Sequence, residues 1–372
     1  MHLNSILNLV FVFKTLIIII LFLPIVGLIS CRKKIDHQLG STTTVENYDP
    51  SSGGVGGGST NGCTLISSSE ILLVDALQVF NNELYVGGEF ENNAGTVKHF
   101  GKLNAQNQLI PAVSGSVGRF GVYDLEVVNN ELIIGGSISY IEGVNVSYNS
   151  IRMDASGSVS DIDFCAQIFE YINDINVFNG GILFSGNFDP ANPNSVTTSN
   201  VDLLQSFSSV GMSSTSGTIR SSAVHQGILY IAGEDDGLLE WTGSFWSDVS
   251  YTGEHWTDEI FSVVSYNSEL YVAGKFYGGA ILKKQNSSGV WEDIAGVSQI
   301  GSMGARSKLK VVNNQLYFCS NALMLDGTTA SSLLLLNGVD WESIGLLTAE
   351  VRDIEYFNGK LYIATNNGLY EY

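Results

Sequence analysis

One hairpin motif recurs seven times between residues 75 and 365, and internal repetition of this kind restricts the fold more than any other feature of the chain. One copy reads Asp75-Ala-Leu-Gln-Val-Phe-Asn-Asn-Glu-Leu-Tyr-Val-Gly-Gly-Glu-Phe90, and the next reads Asp124-Leu-Glu-Val-Val-Asn-Asn-Glu-Leu-Ile-Ile-Gly-Gly136. The apolar residue that opens the second half of each copy is Leu84, Leu132, Ile182, Leu229, Leu270, Leu316 and Leu361, so the steps are 48, 50, 47, 41, 46 and 45 residues. Steps of that size match four-stranded propeller blades. In each copy two short apolar runs flank Asn-Asn, Asn-Gly, Gln-Gly or Asn-Ser, residues that tolerate the positive φ of a tight turn. Three residues past each anchor stand Gly87, Gly135, Ser185, Ala232, Ala273, Cys319 and Ala364, all small. A uniformly small strand position implies that a neighbouring sheet packs closely there, which assigns Cys319 to a packed interior as an inert thiol.

A second apolar pair comes after the hairpin, as in Leu238–Trp241 with Phe245–Val249, and Leu333–Leu336 with Trp341–Ile344. Four strands per repeat, repeated seven times, predict an all-β, seven-bladed β-propeller of four-stranded blades over residues 63–372. The last copy ends at Tyr372 with only its third strand, so Cys63–Ser67 is expected to pair there and close the ring. An open solenoid of seven sheets is the alternative. Composition agrees: only 15% of residues are charged, Gly numbers 41, and no long helical period occurs after residue 31. The formal net charge of −20 disfavours binding to a phosphate backbone, so no nucleic-acid partner is expected.

Leu16 to Ile29 is an apolar run preceded by Lys14 and ending in Leu28-Ile29-Ser30-Cys31. It is short for a membrane span and suits the core of a signal peptide. Its end resembles the lipobox of bacterial lipoproteins, which implies a signal peptide over 1–30, lipidation of Cys31, and attachment to the membrane through lipid. An uncleaved span starting near Ile6 would place Lys14 near its middle, at a cost of about 3 kcal/mol. Arg32-Lys33-Lys34 resists export of the chain beyond it. Residues 31–62 then form a Ser/Thr/Gly-rich tether, with a root-mean-square reach on the order of 30 Å for the stretch after Lys34.

The Gly-Gly ends of Tyr85–Gly88 and Ile133–Gly136, with a later Trp in three copies, resemble kelch-like propellers and poorly characterised repeat proteins of Gram-negative envelopes. The second Gly is missing from copies six and seven, and the later Trp from copies one to three. The resemblance implies a fold and an outer-membrane, periplasmic or surface location, and no substrate.

A search for chemistry finds no metal or cofactor motif and no catalytic set. His99, His225 and His255 lie on different elements, and His225 reads as a packing or turn residue because Phe80, Phe178, Tyr266 and Phe357 hold its slot elsewhere. Cys63 and Cys165 are far apart in sequence, and their pairing is left open. Asp124, Asp174 and Asp353 share one position at the start of the innermost strand. They are expected to bond backbone amides there, with a partial carboxylate ring able to hold a cation as the alternative. Glu234-Asp235-Asp236 reads as a solvated turn. Arg119, Arg220, Arg306 and Arg352 each fall just before an innermost strand, and with Phe120, His255 and Trp256 they are expected at one face around the channel mouth. Arg with aromatics suits carboxylate or sugar ligands, although exposed loops also carry such charges without function. The sequence therefore points to a lipid-anchored binding module for a glycan, peptide or protein. Its rivals are a glycan hydrolase or lyase using loop carboxylates at the channel, and a structural subunit of an envelope complex. Replacing Cys31 with Ser is expected to abolish lipid labelling and membrane attachment; unchanged attachment and labelling would refute the lipoprotein reading.

Overall fold

Short alternating runs separated by turns leave strands as the only regular structure, and the computed structural model contains 29 strands and no helix among the described residues. It describes residues 62–66, 73–91, 95–113, 117–141, 144–146, 149–162, 169–188, 201–203, 218–234, 237–249, 259–276, 279–299, 306–327, 329–345 and 349–372. Cys31, Cys165, His255 and Trp256 lie outside them, as does the apolar run 16–29.

Strand β1 is Thr64–Leu65. The first sheet holds β2 (Leu73–Phe80), β3 (Glu83–Glu91), β4 (Lys98–Leu103) and β5 (Leu109–Pro111) in that order. The second holds β6 (Val117–Val128), β7 (Glu131–Ile141), β8 (Val144–Asn145), β9 (Ser150–Met153) and β10 (Val159–Asp161), with β8 on the far end of β7. The third holds β11 (Phe169–Phe178), β12 (Gly181–Phe188) and β13 (Val201–Leu203). The fourth runs β14 (Ile219–His225), β15 (Ile228–Gly233), β16 (Leu238–Trp241) and β17 (Trp246–Asp248). The fifth runs β18 (Ile260–Tyr266), β19 (Glu269–Gly274), β20 (Leu282–Gln285) and β21 (Trp291–Asp293). The sixth holds β22 (Val297–Gln299), β23 (Lys308–Val312), β24 (Gln315–Leu325), β25 (Thr329–Asn337) and β26 (Asp340–Ser343). The last holds β27 (Val351–Phe357), β28 (Lys360–Thr365) and β29 (Gly368–Glu371), with β1 antiparallel on β29 at Thr64↔Glu371 and Leu65↔Tyr370.

Six sheets therefore carry four strands or more, and the third carries three, among the described residues. This corrects the expectation of seven four-stranded blades: the complete blades number six. The difference lies in the third repeat, where Val201–Leu203 is the one strand after the hairpin among the described residues.

The hairpin turns form as the residue types dictate. Asn81 and Asn82 have φ of 49° and 59°, and Asn129 and Asn130 have 51° and 61°, the left-handed pair of a type I′ turn. Each innermost strand then packs on the next: β2 on β6, β6 on β11, β11 on β14, β14 on β18, β18 on β23, β23 on β27, and β27 on β2. An apolar layer fills each of these contacts. Phe100 and Tyr85 of the first sheet meet Leu132, Ile134 and Ile151 of the second, and Phe318 and Trp341 of the sixth meet Tyr271 and Leu282 of the fifth. The anchors Leu84, Leu132, Leu229, Leu270 and Leu316 are fully buried, each contributing about 2 kcal/mol of transfer free energy.

The two glycines of the motif have different causes. A Cβ on Gly87 would lie 2.5 Å from Cγ1 of Val122, and one on Gly135 would lie 2.9 Å from Cγ2 of Ile172, so the first glycine is set by the next sheet. Cys319 holds the same slot, fully buried, and burial raises its thiol pKa. A Cβ on Gly88, Gly136, Gly186 or Gly233 would lie 2.1 to 2.4 Å from the carbonyl oxygen of Leu73, Gly121, Tyr171 or Thr218 of its own sheet. These carbonyls are carried inward by a β-bulge at the start of each innermost strand. The second glycine thus makes room for the bulge in the first five sheets; the seventh keeps the bulge with Thr365 there, and the sixth, with Ser320, has none between β23 and β24. Gly136→Ala is expected to cost about 3 kcal/mol by overpacking, and Gly157→Ala about 1 kcal/mol of backbone strain, because Gly157 meets nothing within 4 Å at φ +84°. Urea unfolding of both variants checks the difference.

Candidate functional site at the channel mouth

The bulge gives the protein its candidate site. In six sheets a β-branched residue is buried at the strand start: Val74, Val122, Ile172, Ile219, Ile260 and Val351, none more than 1% exposed. The next residue is the extra one of the bulge: Asp75, Tyr123, Asn173, Arg220, Phe261 and Arg352. In the sixth sheet, which has no bulge, Ser307 stands at the same nine-residue distance before its anchor. An extra residue turns its side chain out of the ladder, and all seven line one cavity of about 360 Å³. Tyr171, Asp174, Ser221, Glu234, Ser262, Arg306 and Lys308 complete its wall.

Three of the four predicted arginines thus meet at one place. Arg352 donates to Asp75 Oδ1 at 2.6 Å and to Glu350 at 3.2 Å. Arg220 pairs with Glu234 and, at 2.8 Å, with Glu259, and its guanidinium lies 5.7 Å from the Phe261 ring centre. Arg306 stacks 4.2 Å from the centre of the Tyr123 ring and lies 3.8 Å from Asp75. Tyr123 meets Tyr171 edge to face at 6.2 Å and donates its hydroxyl to Glu89 at 2.9 Å. Arg119 and Phe120 lie in β6, but their side chains fall outside the described residues.

One residue deeper, the side chain of one sheet caps the strand of the next. Asp353 Oδ2 accepts from Leu77 N at 2.8 Å, and Asp124 Oδ2 accepts from Ile175 N at 2.7 Å. Ser221 Oγ accepts from Val263 N at 3.2 Å, and Ser262 Oγ accepts from Leu309 N at 2.9 Å. Asp174 instead accepts from the hydroxyls of Ser222 and Ser185. The three aspartates therefore serve structure here, as the amide reading expects for Asp124 and Asp353. They do not form a ring of carboxylates alone, because Lys308 stands between Asp124 at 3.4 Å and Asp353 at 3.7 Å, and Lys310 lies 2.8 Å from Asp353. Among the described residues no group of three His, Cys, Asp or Glu is placed to hold a metal.

Burial dominates the titration of this layer. Desolvation, then the charge of Asp124, pushes Asp174 up to about 7, and the same two causes push Glu126 up to about 7. Burial also raises Asp353, but Lys308 and Lys310 outweigh it and hold the group below the usual carboxylate range. Burial opposes the charge of Lys308, yet Asp353, Asp124 and Asp174 together raise its pKa.

Outside the mouth, His225 is a packing residue: Nδ1 lies 2.9 Å from Ser265 Oγ, its ring meets Tyr230 at 6.4 Å, and burial lowers its pKa. Glu234 of the acidic turn pairs with Arg220, so it belongs to the mouth. Cys63 is half-buried beside Gly345 and unbridged. Sequence reasoning missed Asp75, Tyr123, Asn173 and Phe261, although each stands nine residues before its anchor, as Arg220 and Arg352 do.

No protein-family model matches the chain, and no curated protein matches it in sequence. Solved structures do resemble it. A virginiamycin B lyase from Staphylococcus aureus is similar at 11% identity and TM-score 0.52, over 83% of this chain and 98% of that one. The WD40 β-propeller domain of Doa1 is similar at 12% identity and TM-score 0.54, over 83% and 96%. The extracellular domain of a putative one-component system from B. thetaiotaomicron is similar at 10% identity and TM-score 0.53, over 83% of this chain but only 39% of that one. At these identities the likeness is one of fold, and the chain is an all-β propeller.

Asp174 and Glu126 predict a pH dependence. A carboxyl whose native pKa exceeds its unfolded value favours the folded state fully below the unfolded value, near 4, and loses that contribution as pH rises through about 7. Asp353 acts oppositely, weakening the fold only as pH falls below its ordinary value of 3.8. Thermal stability is therefore expected to be greater at pH 5.5 than at pH 8.5, and Asp174→Asn with Glu126→Gln is expected to flatten that slope.

Proposed function

We propose that this chain is a lipid-anchored binding module of the bacterial envelope. It is held by lipid on Cys31, tethered by residues 31–62, and closed into a ring by β1 in the last sheet. It offers its channel mouth to a glycan, peptide or protein, and the kelch-like resemblance belongs to the same reading. The observation that carries it is the cavity at the mouth, to which each of the seven repeats contributes the residue nine positions before its anchor. A fold alone needs no convergence of Arg, Tyr and Asp at that place; apolar or small residues would serve it.

A second reading has one observation in its favour. Asp174 lines the cavity with its carboxyl pushed up to about 7, a value suited to a proton donor in a glycan hydrolase or lyase. Its bonds to Ser222 and Ser185 occupy it structurally, which favours binding over turnover.

The test has two arms. Full-length protein is screened against envelope glycans and peptides. Replacing Arg220, Arg306 and Arg352 by Ala together is expected to weaken any capture at least tenfold; unchanged capture would remove the mouth from the reading. Protease treatment of intact and lysed cells then gives location. Digestion on intact cells places the ligand outside, and protection until lysis places it in the periplasm.

A further inference from the structure

Arg306 breaks the pattern of the mouth. It stands ten residues before its anchor, where the other six sheets carry a buried Val or Ile. The sixth sheet has no bulge, and buried Ser307, 2.8 Å from Ser320, takes their place, leaving Arg306 in the turn before β23. Its side chain is 30% exposed, has no carboxylate nearer than 3.8 Å among the described residues, and reaches from the sixth sheet to Tyr123 of the second.

The charges around it cancel. Arg220 and Lys275 face Glu234 and Glu259, while Arg306 and Arg352 face Asp75 and Glu350. The layer below is not basic either, because Asp124, Asp174 and Asp353 surround Lys308. An anionic ligand would meet no net positive potential here, so the carboxylate class is disfavoured.

The mouth also holds one acceptor and one donor that lack partners among the described residues. Asp75 Oδ2 and Arg352 Nε are both buried without a hydrogen bond, on two side chains already joined at 2.6 Å. A hydroxyl group satisfies both kinds, because it donates and accepts at once. Tyr171, half-buried, adds aromatic surface in the same wall, where the C–H face of a sugar ring can pack.

We infer that the mouth takes a neutral carbohydrate of one or two rings, with Asp75 and Arg306 as its polar anchors. This rests on reading the mouth as a ligand site, and it names the ligand class. The decisive experiment is calorimetry of detergent-solubilised full-length protein. The probes are neutral hexoses, N-acetylhexosamines and their disaccharides, with glucuronate and galacturonate as acidic counterparts. Each is measured at low and high salt, which separates screened ionic binding from the rest. A neutral sugar is expected to bind with affinity changing less than twofold with salt. Arg306→Ala and Asp75→Asn are each expected to weaken it at least tenfold, with melting temperature recorded to exclude unfolding and Arg306→Lys as a milder second variant. Binding of the uronates alone, weakened by salt, would overturn the neutral class and leave the mouth as a ligand site. Sugar binding untouched by every variant would overturn both readings, and failure of all the neutral sugars would overturn the inference.

Discussion

Much at the channel depends on one backbone feature, the extra residue at the start of the innermost strand in six of the seven sheets. A strand must pass close to its neighbours to fill the centre of a propeller, and regular pleating would point alternate side chains into that crowded space. The bulge changes this. A buried Val or Ile fixes the strand on one side, the extra residue swings to the mouth, and in four sheets the next side chain reaches the amide of the adjacent sheet. The glycine opposite is a consequence, since a Cβ on Gly136 would lie 2.2 Å from the Gly121 carbonyl oxygen. Function and closure thus come from consecutive residues of one irregularity, which ties the site to the fold.

The electrostatics of the channel are layered by the same geometry. At the mouth, arginines are long enough to meet carboxylates from neighbouring sheets, and their charges balance. One layer deeper, short Asp and Ser side chains serve backbone amides, and Lys308 and Lys310 offset Asp124 and Asp353. Charges removed from water need partners of this kind. Burial outweighs that support at Asp124, Asp174 and Glu126, and their carboxyls move toward neutrality instead.

The structures this chain resembles share its architecture at 10 to 12% identity. Architecture at that distance comes from apolar anchors, turn residues and small packing positions, and many sequences supply these. The mouth positions are free of that demand. They carry Asp, Tyr, Asn, Arg, Phe, Ser and Arg in succession around the channel, and chemistry is therefore specified there.

The sequence by itself determined the strands, the turns and the repeat, because the left-handed Asn turns, the anchors and the small positions are local requirements visible along the chain. It also placed Arg220, Arg306 and Arg352 near one face by setting them just before an innermost strand, although only Arg306 precedes its strand and Arg220 and Arg352 are the second residues of β14 and β27. It did not determine which residues meet. Asp75 and Arg352 lie at opposite ends of the domain and touch only because the last sheet packs on the first. The role of the second glycine was hidden for the same reason, as it answers a carbonyl on another strand. Whether each repeat completes four strands was also a tertiary matter, because an outer strand forms only where its side chains find a sheet to cover; among the described residues the third sheet has three. Local chemistry sets what each repeat can form, and packing between distant repeats decides what the charged residues hold.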